Sequence, residues 1–286
     1  MRDFIVCRPH MNNPHRRVAI VTGAAAGIGR ALCEALIARG AVVVAADADA
    51  AGLATLADAI DAGGGRIGTA LLDVRDATAV QSVVDSTLAA YGRLDWMFNN
   101  AGITLVGEVA DMSLDQWDRT IDVNLKGILH GVAAAYPIMI KQGFGHIVNT
   151  ASGMGLSPSP LLTAYSTTKY AVMGLSLGLR AEAKALGVKV SVVCPGFVRT
   201  NMFASATMIG ATVADLIDKV PFRIRDAADC ARAILKGVDR NAGIIMFPGY
   251  VRFFWWVYWL APGLLSYFDQ QKMSAFRRVS RDKPPV

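Results

Sequence analysis

Paired cysteines are missing from this chain. Cys7, Cys33, Cys194 and Cys230 are scattered with no Cys-x-x-Cys spacing, so neither a zinc site nor a disulfide framework is suggested, and the usage fits a reducing cytosol. Histidine is equally sparse. His10, His15, His130 and His146 share no metal-ligand spacing, and no metal is expected. Residues 1–17 lack an apolar core of signal-peptide length, so residues 1–16 read as an N-terminal arm, ordered or loose, and not as a secretion signal. No internal repeat or linker interrupts the chain. Basic charge is scarce where a nucleic-acid-binding face would need it. The net charge is +6, but residues 1–17 hold +3 and residues 270–286 hold +4, leaving the body at −1. That distribution argues against a nucleic-acid partner. It leaves solubility, or contact with an anionic membrane surface, as the reading of the tails. A cytoplasmic location is expected, with membrane association as the alternative.

What is present is apolar and glycine-rich: 53% apolar residues and 27 glycines over 286 positions. That is enough for a sizeable core in one large α/β domain or two small ones. From Arg17 the chain alternates β-branched runs with helical periods. Strands are read at 17–23, 41–47, 67–74, 94–102, 145–152 and 188–196, with a seventh at 243–248. Helices are read at 28–40, from 48 to about Ile60, and at about 76–91, 114–141 and 164–186, by apolar spacing and glycine stops. Continuous apolar strands separated by helices imply a parallel sheet covered on both faces. The expected fold class is therefore α/β: a Rossmann-type doubly wound parallel sheet of about seven strands with helices on both faces, a single domain over residues 17–250. Residues 251–286 form an aromatic and then basic C-terminal segment.

In such a fold ligands bind outside the carboxyl ends of the strands, and polar or glycine residues stand at each of those ends. The first strand closes on Gly23, Ala25, Gly27, Ile28 and Gly29. Here glycines let the backbone approach a diphosphate, and the next helix offers free N–H groups. The spacing Gly-x-x-x-Gly-x-Gly is not the common Gly-x-Gly-x-x-Gly. Asp47 ends the second strand, where a carboxylate accepts hydrogen bonds from both ribose hydroxyls and repels a 2′-phosphate. Ala26 and Ala48 stand where a basic residue would have neutralised that phosphate, which favours NAD over NADP. Asp49 is the better N-cap for the helix that follows. Asp73 and Val74 follow the third strand, Asn100, Ala101 and Gly102 the fourth, Ser152 the fifth, Pro195 and Gly196 the sixth. Each alone reads as a turn residue; six strand ends together do not. Thirteen residues after Ser152 comes "YSTTK", with Tyr165 and Lys169 on one helix face.

TGAAAGIG, NNAG, Asn124 in "VNLKG", Ser152, YSTTK and "PGFVRT" occur in this order and spacing, and over about residues 16–250 the chain resembles a short-chain dehydrogenase/reductase. The glycine spacing is that family's own. The long N-terminal arm and aromatic C-terminal segment depart from its minimal members. The resemblance implies catalysis by Ser152, Tyr165, Lys169 and Asn124. Tyr165 would exchange the proton of the reacting hydroxyl as hydride moves to or from the nicotinamide. Ser152 would hold the substrate oxygen, and Asn124 would hold a water linking Lys169 to solvent. Tyr165 and Lys169 would also contact the cofactor. Lys169 would hydrogen-bond the nicotinamide ribose and, with the cationic nicotinamide, favour the phenolate, an opposite charge within a few ångströms shifting a pKa by about 1–3 units. Thr200 would contact the nicotinamide carboxamide, and Pro195, Gly196 and Val198 would line the cofactor site with the residues above.

The resemblance places a substrate lid at about 197–221. Phe197, Met202 and Phe203 within it, with Met154 and Leu162, make the expected substrate wall apolar. The expected reaction is hydride transfer between NAD(H) and a hydrophobic secondary alcohol or ketone. An NADPH-dependent carbonyl or acyl-carrier ketoreductase is the alternative, and a non-catalytic NAD-binding regulator a more distant one. A homotetramer or homodimer is expected. "RFFWWVYWLAPGLL" (252–265) is apolar on every helical face. It is too short to span a bilayer and is interrupted by Pro262. It packs over the pocket or a partner subunit, makes a peripheral membrane contact through 252–286, or is a cleaved or disordered tail.

Overall fold

The computed structural model describes residues 16–200, 202, 206–210 and 224–281. Most of the N-terminal arm, Phe203 and much of the expected lid lie outside the described residues. Seven strands form one parallel sheet: β1 (Val18–Thr22), β2 (Val42–Asp47), β3 (Gly68–Leu71), β4 (Trp96–Asn99), β6 (Gly145–Thr150), β7 (Val188–Pro195) and β11 (Ile244–Phe247). The spatial order is β3-β2-β1-β4-β6-β7-β11. Chain order reverses between β1 and β4, the switch point at which such sheets bind ligands. Strand pairs β5 (Leu105–Val106) with β9 (Thr207–Met208), and β8 (Val198–Arg199) with β10 (Arg225–Asp226), lie outside this sheet.

The sheet forms because its strands bury both faces. Every residue of β1 is buried, and its side chains alternate between two cores. Ile20 joins Val44, Ile147 and Val190 under α3 (Ala77–Tyr91), the paired helices α4 (Leu114–Ile121) and α5 (Gly127–Gln142), and α6 (Thr163–Ala183). Ala19 and Val21 join Val43, Phe98 and Val193 under α1 (Gly27–Ala38), α2 (Ala50–Ala62) and α7 (Ala227–Asp239). The helix starts follow local chemistry. Asp49 caps α2 by accepting from Gly52 N at 3.0 Å, as expected, and Asp76 caps α3 through Ala79 N. Ser113 and Gln116 form a capping box at α4. The reading of one long helix at 114–141 misses a π-turn at Asp122–Lys126 between α4 and α5.

Gly143 and Gly187 end α5 and the turn after α6, both with positive φ. They meet back to back, so β6 and β7 begin side by side with Gly145 opposite Val188. A Cβ on Gly187 would stand 2.2 Å from Gly143 O, at φ +75°. Gly187→Ala is expected to cost at least about 2 kcal/mol, from left-handed strain plus the backbone clash, as read by urea unfolding. A loss under about 0.5 kcal/mol would show that the two turns separate freely.

The C-terminal segment is two helices, α8 (Tyr250–Leu260) and α9 (Pro262–Arg281). Pro262 breaks the aromatic run by opening the second helix, where its missing N–H costs nothing.

Candidate active site

A cavity of about 440 Å³ opens at the carboxyl ends of the strands. On one side Gly23, Gly27 and Ile28 lead into α1, whose N-terminus has no side-chain cap and no acidic residue in its first turn. Gly23 and Gly27 lie at φ +66° and +55°, and a Cβ on Gly29 would stand 1.9 Å from Gly23 O. The helix start therefore rests directly on the glycine turn, leaving its N–H groups for an anion. Gly29 itself does not line the cavity; it allows this close approach. Ala25 also lies behind the lining, donating its N–H to Asp47 Oδ2 at 2.9 Å.

Asp47 lines the cavity and accepts from Asp49 N at 3.0 Å through its other oxygen. Thr22 and Asn100 tie β1 to β4: Thr22 Oγ1 accepts from the N–H groups of Asn100 and Ala101, and the Asn100 amide donates to Thr22 O and Gly23 O. Asp73, Val74, Asn100, Ala101, Gly102, Pro195, Gly196, Val198 and Thr200 all line the cavity. Thr200 Cγ2 would be 2.9 Å from a Cβ on Gly27, so the sixth-strand loop closes over the glycine turn. The uncapped helix start, the glycine cradle and the carboxylate ending β2 together fit a nicotinamide dinucleotide: diphosphate at α1, ribose at Asp47.

Among the lining residues that escaped the sequence reading are two arginines, Arg75 and Arg119. Arg75 grips Asp73 through two nitrogens, with Nη2–Oδ2 at 2.6 Å and Nε–Oδ1 at 3.0 Å. This hydrogen bonding holds the Asp73 carboxyl below its ordinary range. The charge pair in "DVRD" (73–76) was the available signal.

At the other end Ser152, Tyr165 and Lys169 converge with the apolar Met154, Leu162, Phe197 and Met202. Ser152 lines the cavity together with Tyr165, and its Oγ accepts from Met154 N at 3.1 Å. Lys169 is 1% exposed. Its Nζ lies 5.6 Å from the Tyr165 ring centroid and donates to Thr150 O at 2.9 Å. Burial pushes the Lys169 ammonium down to about 8. Burial also pushes the Tyr165 phenol up, and the Ser152 hydroxyl only partly opposes this. Lys169 alone therefore does not bring the phenol down; the lowering expected from the sequence included the charge of the nicotinamide. The ammonium stands over the ring, is itself desolvated, and gives a hydrogen bond to Thr150, so burial decides the sign.

Asn124 does not line the cavity. It is fully buried in the π-turn. Its Oδ1 accepts from Ile103 N at 2.8 Å, and its amide donates to Ile103 O and Thr168 Oγ1. Its side chain is thereby committed to the loop beyond β4 and to α6. It stands below Gly102, where a Cβ would come 3.2 Å from Asn124 Oδ1 and 3.5 Å from Lys169 Nζ.

Residues 17–208 match the model of the short chain dehydrogenase family. The 3-oxoacyl-[acyl-carrier-protein] reductase of Thermotoga maritima is 36% identical over 186 residues, 65% of this chain and 76% of that protein. A short-chain dehydrogenase/reductase from Burkholderia phymatum, solved with NAD, superposes with a TM-score of 0.81 at 29% identity over 89% of this chain and 97% of that one. One from Sphingobium yanoikuyae, solved with NADPH, gives 0.73 at 27% identity over 90% and 95%. The chain belongs to the short-chain dehydrogenase/reductase family and is an oxidoreductase built on its nucleotide-binding fold.

Proposed function

We propose that this oxidoreductase uses NAD(H) to interconvert a hydrophobic secondary alcohol and its ketone, with Tyr165 as the proton-exchanging group. The observation that carries the reading is the convergence of Ser152 and Tyr165 with a buried ammonium, 5.6 Å from the phenol ring centroid, at the apolar end of the cavity. The nicotinamide supplies the hydride acceptor or donor when bound. Ser152 and Tyr165 hold the substrate oxygen between them. Tyr165 moves the proton, and the developing negative charge is favoured by the Lys169 cation. Asn124 supports this arrangement as a positioning residue through Ile103 and Thr168. Residues 17–250 make up the catalytic domain in this reading, and the protein works as a cytoplasmic homotetramer or homodimer.

NAD is favoured because Asp47 lines the adenosine end with Ala48 beside it, leaving a carboxylate where a 2′-phosphate would lie. The second reading, an NADPH-dependent ketoreductase, draws on the T. maritima relative and on Arg75 near that end of the cavity. Against it, Arg75 is neutralised by Asp73. Initial rates with NAD and with NADP, followed by absorbance of the reduced nicotinamide over a panel of apolar secondary alcohols, separate the two. Turnover is expected with NAD. Asp47→Ser combined with Ala48→Arg is expected to move the NADP:NAD preference about 10–100-fold towards NADP, the worth of one charge-assisted pair. Turnover with NADP alone in the unaltered protein would overturn the NAD assignment. Tight NADH binding without turnover on any alcohol or ketone would turn the reading to a regulator.

A further inference from the structure

Helix α8 buries Val251 and half-buries Phe254, Trp255 and Tyr258 against the domain. Phe253, Trp256, Trp259 and Leu260 face outward at 54–77% exposure, and α9 extends the surface with Leu264, Tyr267 and Phe268 at 51–57%. On a surface helix this stripe ordinarily belongs to polar residues. At 150–250 Å² per aromatic side chain, the five aromatics among them together expose roughly 450–750 Å² before the two leucines are added, against roughly 300–600 Å² for the largest apolar patch of a typical monomer. No residue of the aromatic run 252–265 is among those lining the active-site cavity. Met273 and Phe276, on the following helix, pack beside it instead.

The run that carries most of the patch, Arg240 to Phe268, holds Arg240 and Arg252 and no Asp or Glu, Asp269 being the first carboxylate after it. Arg252 and Arg278 are exposed. A symmetric contact between two copies would set these cations against one another, whereas an anionic lipid surface neutralises them. Tryptophan, tyrosine and phenylalanine flanked by Lys and Arg are the side chains that settle at a bilayer interface.

The opposite side of α9 reaches the active site. Met273 and Phe276 pack on Val106, Leu161, Leu162 and Tyr165. Arg277 grips Glu108 at 2.7 and 3.1 Å, and Lys272 donates to Ser159 Oγ at 3.1 Å. An open cavity of about 680 Å³ runs between α8, α9 and the loop at Pro158–Pro160, lined by Tyr258, Leu265 and Met273 on its apolar side and by Asp269, Gln270 and Arg277 on its polar side.

We propose that the outward face of α8 and α9 seats in an anionic lipid bilayer, and that the cavity beneath α9 passes lipid-dissolved substrate towards Tyr165. The second half rests on the dehydrogenase reading; the first does not. The full chain is expected to co-sediment with phosphatidylglycerol–phosphatidylcholine vesicles, and more weakly with phosphatidylcholine alone. Trp256→Gln/Trp259→Gln is expected to weaken that partition at least about tenfold, with NADH affinity unchanged as the control for folding. A full chain that stays in the supernatant, or a variant that partitions as well as the parent, overturns the docking. So does light scattering that shows the variant converting a dimer or tetramer to monomer without any vesicle effect; the face is then a subunit contact. With a long-chain secondary alcohol, vesicles are expected to lower the apparent KM of the parent but not of the variant. A KM indifferent to vesicles overturns substrate delivery. Sedimentation without turnover of any alcohol leaves the docking intact and sinks the dehydrogenase reading instead.

Discussion

Tyr165→Phe is expected to lower kcat about 10²–10⁴-fold, the usual worth of a positioned general acid–base, while NADH affinity stays within about twofold. The phenol is buried, so Phe fills the same volume among Val106, Leu161 and Leu162. The hydroxyl is what is lost: the group that moves the proton. Because Tyr165 packs with Val106, Leu161 and Leu162 rather than against the glycine cradle, binding and chemistry should separate cleanly. The pH profile carries more information than the rate. Burial pushes this phenol up in the structure, so the dehydrogenase direction should accelerate with rising pH as the phenolate becomes available. The variant should lose that dependence along with its rate. A variant that keeps more than about a tenth of the parent kcat would show that another group moves the proton, and the Ser152–Tyr165 geometry would then be structural.

The sheet was legible because each strand is an apolar run bounded by glycine or a helix, and local pattern suffices for that. The Asp49 cap and the break at Pro262 are also local. Most of the residues placed at the strand ends do gather in one cavity, since a parallel sheet sends all its carboxyl ends to one edge. What was not legible depends on partners distant in sequence. The Asn124 amide is committed to Ile103, 21 positions away, and this becomes visible only when the π-turn packs beneath the fourth strand's loop. The direction of the Tyr165 shift depends on how deeply several elements bury it, which a Tyr-x-x-x-Lys spacing does not state. Arg277 finds Glu108 across 169 positions, so nothing in the basic tail announced that one of its charges clamps α9 beside the active site. The aromatic segment read as apolar on every face. The fold nevertheless had to choose which face to bury, and it left outside the stripe that carries Trp256 and Trp259.

Lys169→Met is expected to move activity and stability in opposite directions. The ammonium is fully enclosed and is pushed down to about 8 by loss of hydration. An unfolded lysine titrates near ~10.4. Between those values the unfolded chain binds more protons than the folded one, so stability rises with pH from about 8 to about 10.4. Below that window the folded protein bears the full cost of the buried charge. Tyr165 acts with the opposite sign: its folded pKa lies above the unfolded value of ~10, so its contribution falls as pH rises past that point. The two are therefore distinguishable in a urea series run from pH 7 to 10. Methionine nearly matches the volume of the lysine stem and carries no charge. The variant should gain about 2–3 kcal/mol at pH 7, for a shift of roughly two units, and should lose most of the slope between pH 8 and 10. Its kcat should nevertheless fall about 10²–10³-fold, since a cation fixed beside the developing charge is gone. A variant less stable than the parent at pH 7 would mean that the hydrogen bond to Thr150 outweighs the desolvation, leaving Lys169 a structural tie. If both parts hold, the fold tolerates a buried, unfavourable charge at the position where it favours the negative charge that develops on the reacting oxygen.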